Sequence, residues 1–341
     1  MKRRLNHCVE WWSFKRATTR LRVSQRQARP LDAKQGWGRP ALKGMRKYMR
    51  RLNLDRYANR LKVIHVTGTK GKGSTCAFCS SLLSAHGDRK GSPVKVGMYL
   101  SPHLVDETER ICINGQPISK AQFAKHAWNV IKELGISVDP EAPRFLQAMI
   151  LIAIRVFQEE NVDVAIIETH TGARYCATNF WKRPVVVGIT HISLDHQEEL
   201  GETIAKITYQ KAGIFKRGVP AFTTARDPDA RPVLLEEAKK NRVQLSFVDS
   251  SDKQLRDLVN IEALRENLQL ATNLCNTVLK ADGDALDESD ITSGVANFNY
   301  PGRFQTLESK NATWYLDGAH NPSSVAVAVN WFGEQISRLS S

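Results

Sequence analysis

The chain has 341 residues, of which 42% are hydrophobic, so it is long enough for two domains with buried cores. No apolar run approaches the ~18–20 residues of a membrane-spanning helix, so we expect no transmembrane segment. The formal net charge of +14 is concentrated in residues 1–50, which contain 15 Lys and Arg residues and two acids. The remainder is nearly neutral, which argues against a nucleic-acid-binding body.

The first 40 residues are rich in arginine and nearly free of acids, with Trp11, Trp12 and Phe14 interspersed. This composition is typical of a mitochondrial presequence, although serine is sparse. A disordered basic tail and a wrong start in the gene sequence are the alternatives. We expect a basic N-terminal extension over residues 1–40, and a protein located in mitochondria, in the cytoplasm or in both.

The six cysteines are few for a chain of this size, which is typical of a reducing compartment. Cys76 and Cys79 form a C-x-x-C motif, but no second Cys/His pair follows at zinc spacing. We therefore expect these two cysteines to pack inside a helix rather than bind zinc.

The next elements lead to a glycine-rich loop. Apolar residues at helical spacing predict a helix over 42–61, and the β-branched run 63–67 predicts a buried strand. Residues 68–74 follow with the sequence Gly-Thr-Lys-Gly-Lys-Gly-Ser, and a helix is predicted over 75–86, ended by Gly87.

Strand, glycine loop and helix together form a phosphate-binding loop, because backbone N–H groups and the helix N-terminus face the anion. We expect Lys72 to reach the outer phosphates and the Ser74 hydroxyl to contact phosphate or Mg²⁺. The strict P-loop pattern is not met, because Gly73 separates Lys72 from Ser74. An ordinary turn with surface lysines is the alternative.

Strands and helices then alternate. Strands are predicted over 94–100, 162–169, 184–190, 219–223 and 243–248, and helices over 122–134, 144–160, 203–212 and 229–241. This alternation predicts an α/β fold whose mainly parallel sheet is covered by helices on both faces. Ligands of such sheets bind at the carboxyl ends of strands. In this sequence the glycine-rich loop, Ser101, Glu168 and Asp195 all lie at or shortly after such an end.

The last part of the chain changes pattern. Residues 249–262 are polar and predict a linker, and 265–280 predict a helix. Strands over 304–307 and 313–316 and a helix over 322–336 follow, too few elements to cover a sheet. We expect a P-loop domain with linker over 41–300 and, over 301–341, the start of a second domain whose remainder is absent.

Several motifs between about residues 42 and 335 resemble those of folylpolyglutamate synthases, a family of Mur-ligase-like ATP-dependent amide ligases. They are the glycine-rich loop, residues 101–104, 109–118, 195–196, 210–216, 218–222, 301–303 and 315–320. The resemblance implies a P-loop-containing sheet domain followed by a Rossmann-like C-terminal domain, of which this chain has the beginning.

The resemblance also implies a reaction. ATP phosphorylates the γ-carboxyl of a tetrahydrofolate, and the amine of L-glutamate displaces phosphate from the acyl phosphate. The implied partners are these small molecules, with a monomeric protein. Two alternatives stay open: dihydrofolate synthase, which joins the first glutamate to dihydropteroate, and a catalytically inactive paralogue that binds nucleotide or folate.

Site residues follow from the resemblance. Ser101 and Glu168 are expected to hold one Mg²⁺ and His196 to help hold a second, while Lys211 matches a carbamylated lysine; a monovalent cation is compatible with the family. The implied ATP contacts are Gly68, Thr69, Lys70, Gly71, Lys72, Gly73, Ser74, Asn267, Arg303 and Asp317. The implied catalytic residues are Lys72, Lys211, His196, Asp317 and His320.

The stretch 168–179 departs from the family pattern, which has glycines where His170 and Ala173 stand and aspartate where Cys176 stands. A side chain at a position that needs a left-handed backbone costs about 1 kcal/mol or more. An imidazole beside a metal ligand would block the site or add a ligand. From these departures and the short second domain we expect weak or absent ligase activity.

Overall fold

An eight-stranded sheet forms the centre of the computed structural model, which describes residues 2–26, 42, 44–136, 139, 141–248, 253–320 and 322–339. Its strands are β1 (Lys62–Thr67), β2 (Val96–Tyr99), β3 (Ile111–Ile113), β4 (Gln116–Pro117), β5 (Val164–Glu168), β6 (Val186–Ile189), β7 (Ala221–Thr223) and β8 (Leu245–Phe247). The strand order is β4-β3-β2-β5-β1-β6-β7-β8; β3 pairs antiparallel with both β2 and β4, and the other neighbouring strands pair parallel.

Helices connect and cover these strands. They are α1 (Lys2–Arg26), α2 (Met45–Arg51), α3 (Asp55–Arg60), α4 (Lys72–Lys90), α5 (Lys120–Leu134), α6 (Phe145–Glu159), α7 (Gln197–Leu200), α8 (Ile204–Ala212), α9 (Ala230–Asn241), α10 (Lys253–Leu258), α11 (Glu262–Lys280) and α12 (Glu288–Ala296). Short 3-10 helices span Glu107–Arg110 and Ala177–Phe180. The predicted α/β fold with a mainly parallel, helix-covered sheet is confirmed.

The central strand β1 is buried between two layers of helices. Val63, Ile64 and Val66 are fully buried, because alternate residues face a different helical layer on each side of the sheet. One layer contains α1, α2, α5 and α6, and the other contains α4 and α11. Parallel pairing sets Val66 opposite Glu168 and Thr67 opposite Ile189, so the strand ends meet at one edge.

Three predicted boundaries are wrong. The helix predicted over 42–61 is two helices, α2 and α3, because Asn53 takes a left-handed backbone with φ 56°. Helix α4 continues past Gly87 to Lys90, and Gly91, with φ 80°, ends it instead. The predicted linker contains α10, while residues 249–252 lie outside the described residues.

Helix α1 joins the sheet domain. Phe14, Ala17 and Leu21 are fully buried in the core, and the Phe14 ring meets the Phe123 ring of α5 edge-on at 5.4 Å. The predicted extension therefore packs on the sheet domain through the buried side of α1. Residues 27–40 lie outside the described residues, and the presequence remains a prediction.

The C-terminal elements follow the predicted order of strand, strand and helix. Strands β9 (Gln305–Glu308) and β10 (Thr313–Leu316) form an antiparallel hairpin, and α13 (Pro322–Leu339) follows. Trp331 of α13 packs edge-on against Phe304 and Tyr315. The domain boundaries at 40 and 300 remain predictions. No helix in the described ranges has the length and apolar character needed to cross a membrane.

Candidate active site

The glycine-rich loop joins β1 to α4 at the carboxyl edge of the sheet. Gly68 and Gly71 have φ of 145° and 83°, a backbone region that favours glycine. Each of the three loop glycines also faces a side chain from another element at a distance that excludes a Cβ. A Cβ would lie 1.8 Å from Thr190 Oγ1 at Gly68, 2.2 Å from Asn267 Oδ1 at Gly71 and 2.0 Å from Tyr300 Oη at Gly73.

Lys72 begins α4 and turns back toward the sheet. Its Nζ donates a hydrogen bond of 3.2 Å to the carbonyl of Thr69 and lies 3.9 Å from Glu168 Oε1. The ammonium group therefore lies between the loop backbone and the end of β5. This is a suitable position for a cation that contacts phosphates bound by the loop.

Glu168 is the last residue of β5 and is buried beside the segment that follows β2. Its Oε2 accepts a hydrogen bond of 2.9 Å from the backbone N–H of Ser101. Burial raises the pKa of Glu168, and nearby Lys72 partly opposes that effect. The Ser101 hydroxyl accepts a hydrogen bond of 2.9 Å from Arg110 Nη1, which fixes a second oxygen next to the carboxylate.

These two oxygens fit a magnesium site. No cluster of three or more His, Cys, Asp or Glu side chains suited to a metal occurs among the described residues. Mg²⁺ in nucleotide sites needs only one or two protein oxygens, because water and phosphate supply the rest. A buried carboxylate with a raised pKa is stabilised by such a cation. Ser101 and Glu168 therefore suit the predicted metal.

His196 comes from a different segment, directly before the short helix α7. Its φ is 48°, its side chain is exposed, and its backbone N–H donates to Asp195 Oδ1 at 3.0 Å. The Asp195 carboxylate lies 3.9 Å from Lys70 Nζ. The segment thus reaches the loop through Asp195, and the metal role of His196 stays a prediction.

Lys211 of α8 is buried against the loop. Its Nζ donates to the carbonyl of Gly68 at 2.7 Å and to that of Thr171 at 3.3 Å. Burial, reinforced by the charge of Lys72, lowers the pKa of Lys211 well below its ordinary value. A neutral amine is the form that reacts with CO₂, so the environment suits carbamylation, which stays a prediction.

The loop also has neighbours from later in the chain. Asn267 of α11 accepts a hydrogen bond of 3.3 Å from Thr75 Oγ1. Burial lowers the pKa of Lys70; Arg303 adds to this effect and Asp317 opposes it, so both groups lie near the loop. The exposed His320 forms its ring contact within its own turn, where Nδ1 lies 2.8 Å from the carbonyl of Gly318.

Asp317 is held by the start of the hairpin. Its Oδ2 accepts a hydrogen bond of 2.9 Å from the N–H of Phe304, and its Oδ1 accepts one of 2.8 Å from Ala319. Arg303 Nη1 donates to the carbonyl of Gly302 at 2.9 Å. These contacts fix the backbone around both predicted ATP contacts, whose roles stay predictions.

Two of the residues that depart from the family pattern, His170 and Cys176, belong to a hydrogen-bonded chain. His170 Nε2 lies 3.0 Å from the Tyr99 hydroxyl, and His170 Nδ1 lies 3.3 Å from Cys176 Sγ. The chain continues from Cys176 Sγ to Thr178 Oγ1 at 3.2 Å and from there to His65 Nε2 at 3.0 Å. Both ring nitrogens of His170 are therefore occupied inside the protein.

The strain expected at these positions is absent from the described backbone. Neither His170, Ala173 nor Cys176 has a positive φ, so the expectation that a side chain strains the backbone there is wrong. Burial, reinforced by the charge of Arg110, lowers the pKa of His170 to about 3. The imidazole is thus neutral and directed toward Tyr99 and Cys176 rather than added to the predicted metal ligands.

Three contributors escaped the sequence reasoning. Thr190 and Tyr300 pack on loop glycines, and Arg110 orients the Ser101 hydroxyl and donates from Nε to His103 Nδ1 at 2.8 Å. Signals existed for two of them. Thr190 directly follows β6, as Ser101 closely follows β2, and Tyr300 directly precedes the Pro-Gly-Arg turn.

Comparison with known proteins gives consistent relatives, although no protein-family model matches the chain. The chain is 35% identical to the probable folylpolyglutamate synthase of Schizosaccharomyces pombe, covering 95% of this chain and 67% of that protein. It is 34% identical to the mitochondrial folylpolyglutamate synthase of Bos taurus, covering 97% and 61%. The chain spans 55–61% of the length of the first four curated relatives.

Solved structures agree with these relatives. A Mycobacterium tuberculosis folylpolyglutamate synthase complexed with ADP and AMPPCP superposes with a TM-score of 0.78 at 26% identity, covering 95% of this chain and 74% of that chain. A bifunctional folylpolyglutamate synthase/dihydrofolate synthase with Mn, AMPPNP and L-glutamate bound gives 0.69 at 29% identity, covering 86% and 70%.

Proposed function

Because the chain belongs to the folylpolyglutamate synthase family, we propose that it joins L-glutamate to the γ-carboxyl of tetrahydrofolates with ATP. The observation that carries the proposal is the arrangement of Lys72, Glu168 and Ser101 beside the glycine-rich loop. This arrangement provides a cation for phosphates and two oxygens for Mg²⁺ at the carboxyl edge of the sheet. The nucleotide, Mn and glutamate in the bifunctional neighbour support the same set of ligands.

In the first proposed step, a γ-carboxylate oxygen of the folate attacks the γ-phosphorus of ATP. The bond from that phosphorus to its bridging oxygen breaks, and ADP leaves with the electron pair. An anion attacks a polyanion here, so charge neutralisation matters more than proton transfer. The loop N–H groups, the N-terminus of α4 and Lys72 supply it.

In the second step, the amino group of glutamate, which has given its ammonium proton to solvent, attacks the acyl carbon, and the nitrogen releases a second proton to the departing phosphate as the amide forms. The bond from that carbon to the phosphate oxygen breaks, and phosphate leaves with the electron pair. Rate then depends on holding amine and acyl phosphate together. We assign that positioning to the C-terminal elements of the chain. Their candidate residues are Arg303, Asp317 and His320, which lie directly before and after the β9–β10 hairpin.

Bound Mg²⁺, held by Ser101 and Glu168 with His196 at a second site, would neutralise charge on the phosphates. Lys211 donates to the loop carbonyl in its unmodified form, and its carbamate would instead present an anionic oxygen. Asn267 holds the beginning of α4 through Thr75 and Gly71. These assignments complete the proposed ATP and metal sites.

The direct test is incorporation of labelled glutamate by the purified 341-residue chain, with ATP and Mg²⁺. Tetrahydrofolate and dihydropteroate are supplied in separate reactions. The proposal predicts a Mg²⁺-dependent product from tetrahydrofolate, lost in Lys72→Ala and kept in Lys62→Ala, whose surface lysine pairs with Asp282. Product from dihydropteroate alone favours dihydrofolate synthase, and ATP binding without product favours the inactive paralogue.

We also propose a mitochondrial form of this protein, with a cytoplasmic form as the further possibility from its sequence. The bovine relative carries the mitochondrial designation, and the basic N-terminal sequence is consistent with it. A fluorescent protein fused to the C-terminus should colocalise with a mitochondrial marker. Diffuse fluorescence throughout the cell would contradict this proposal.

A further inference from the structure

The exposed side of α1 combines large apolar side chains with cations. Val9, Trp11 and Trp12 expose 67%, 44% and 62% of their surface, although they lie on a helix that also supplies core residues. The name α1 outer face is used below for a set of exposed residues of this helix, namely Val9, Trp11, Trp12, Lys15, Arg16, Thr19 and Arg20. Glu10 is the one acidic residue in the α1 sequence, against eight Lys and Arg residues.

This face is fixed rather than loosely attached. Phe14, Ala17 and Leu21 bury the opposite side of α1 in the core. Trp128 of α5 donates from Nε1 to Ser13 Oγ at 3.2 Å, which ties the two helices together beside the face. The exposed tryptophans are therefore presented on a rigid support.

A groove runs between α1 and α5 along the same face. Its volume is about 600 Å³, and it is lined by Trp12, Lys15, Arg16, Thr19, Arg20, Trp128 and Ile131. Three of these side chains are cations and none is an acid. Guanidinium and ammonium groups of this kind hold phosphate oxygens through charge-assisted hydrogen bonds.

The distribution of charge and apolar surface selects the occupant. A small soluble anion would satisfy the groove but leave Val9 and Trp11 exposed to water outside it. A nucleic acid would need a wider basic footprint, whereas residues 51–341 hold 34 basic and 33 acidic residues. A bilayer with anionic headgroups accounts for both the exposed apolar side chains and the basic groove, because tryptophan prefers the membrane interface and polybasic segments are attracted to anionic lipid.

We propose that the α1 outer face docks the protein on an anionic lipid bilayer. The helix lies along the membrane surface with Trp11 and Trp12 in the interface, and the groove takes a headgroup phosphate between Lys15, Arg16 and Arg20. The proposal does not depend on ligase activity.

Co-sedimentation with vesicles tests it. Phosphatidylcholine vesicles with and without about 30% phosphatidylserine are mixed with the full chain at low and high salt. Binding is expected only with the anionic lipid and should weaken strongly at about 1 M salt, where screening is short-ranged. Equal binding to neutral vesicles, or no binding to either, overturns the proposal.

Two sets of variants locate the surface. Lys15→Glu/Arg16→Glu/Arg20→Glu should lower the partition coefficient by at least about a hundredfold. The matched control Arg217→Glu/Lys239→Glu/Lys310→Glu reverses three exposed charges elsewhere and should keep most of the binding. Equal losses in both sets would overturn the assignment to α1.

Two further measurements keep the test independent of folding in the reversed-charge variant. Lipids brominated near the headgroup should quench tryptophan fluorescence of the unchanged protein, and Trp11→Ala/Trp12→Ala should remove most of that quenching. An RNA oligonucleotide serves as a competitor. Tight RNA binding that depends on Lys15, Arg16 and Arg20, without vesicle binding, would contradict the proposal.

Discussion

His170 Nδ1 and Cys176 Sγ lie 3.3 Å apart, so two departures from the family pattern contact each other directly. The backbone N–H of His170 also donates to Cys176 Sγ at 3.3 Å. The imidazole and the thiol are therefore one coupled substitution rather than two separate defects. The Tyr99 hydroxyl, 3.0 Å from His170 Nε2, extends the pair toward β2.

This coupling predicts a penalty for reverting one partner alone. His170→Gly removes the ring that contacts the buried Tyr99 hydroxyl and the Cys176 thiol, at a cost of about 1–3 kcal/mol in unfolding free energy. Adding Cys176→Asp should change that cost non-additively, with an interaction energy of about 0.5–2 kcal/mol. Urea unfolding of the single and double variants measures it. Additive effects would show that the two residues act separately.

Tyr300 should control nucleotide affinity through the loop. Tyr300→Ala removes the side chain packed on Gly73, so the loop loses a support and KM for ATP is expected to rise about tenfold. Tyr300→Phe keeps the ring and should stay near the parent value. Steady-state kinetics at varied ATP separate KM from kcat. A fall in kcat alone would contradict a role in positioning the loop.

The ion-pair cluster between α4 and α12 predicts a pH-dependent stability. Burial alone would raise the pKa of Asp290, but hydrogen bonds from Arg89 and His86 outweigh it and lower the pKa to about 2. A lowered folded-state pKa stabilises the protein above the ordinary pKa near 3.8 and loses that contribution as the pH falls toward 2.

Asp290→Asn should therefore destabilise the protein more at pH 6 than at pH 2, by about 2 kcal/mol. Chemical unfolding of the parent and variant at both pH values gives this difference. Asp88→Asn, which changes an exposed acid on α4, is the control and should destabilise the protein by about 0.5 kcal/mol or less. A penalty for Asp290→Asn that is equal at both pH values would contradict the assigned ion pair.

Helix α1 should be required for stability. Phe14→Ala empties a fully buried position and is expected to lower the unfolding free energy by about 3–5 kcal/mol. Trp12→Ala, on the exposed side of the same helix, should change it by about 0.5 kcal/mol or less. Thermal and urea unfolding check both. A small effect of Phe14→Ala would show that α1 is dispensable to the core.

Local pattern was enough to predict the sheet and the loop. The β-branched run before Gly68 and the strand that ends at Glu168 each carry their own signal, and parallel pairing then brings Glu168 to the loop. The sequence did not reveal that Phe14 and Leu21 are buried, because their spacing is masked by a strongly basic composition. The packing of Tyr300 on Gly73 depends on a separation of 227 residues, which no local pattern records.

Some site residues could be predicted from the sequence and others could not, because only some of them lie in a local sequence pattern. Lys72 lies in the glycine-rich loop and Glu168 ends a predicted strand, and the structure brings their side chains within 3.9 Å. His196 and His320 are exposed and contact only their own segments among the described residues, so their roles depend on ligands or closure. The chain from His170 to His65 arises from tertiary contacts between the segment after β5, the start of the Ala177–Phe180 3-10 helix and the interior of β1.

The proposed chemistry is activation of a folate carboxylate by phosphoryl transfer at this site. Tetrahydrofolate labelled with ¹⁸O in its γ-carboxyl group tests it most directly, because the attacking oxygen stays bonded to phosphorus when glutamate displaces phosphate. With ATP, Mg²⁺ and glutamate, we expect one ¹⁸O in the released phosphate, detected by mass spectrometry, and none with Lys72→Ala. Glutamylated product together with unlabelled phosphate, or no product from folded protein that binds ATP, would contradict it.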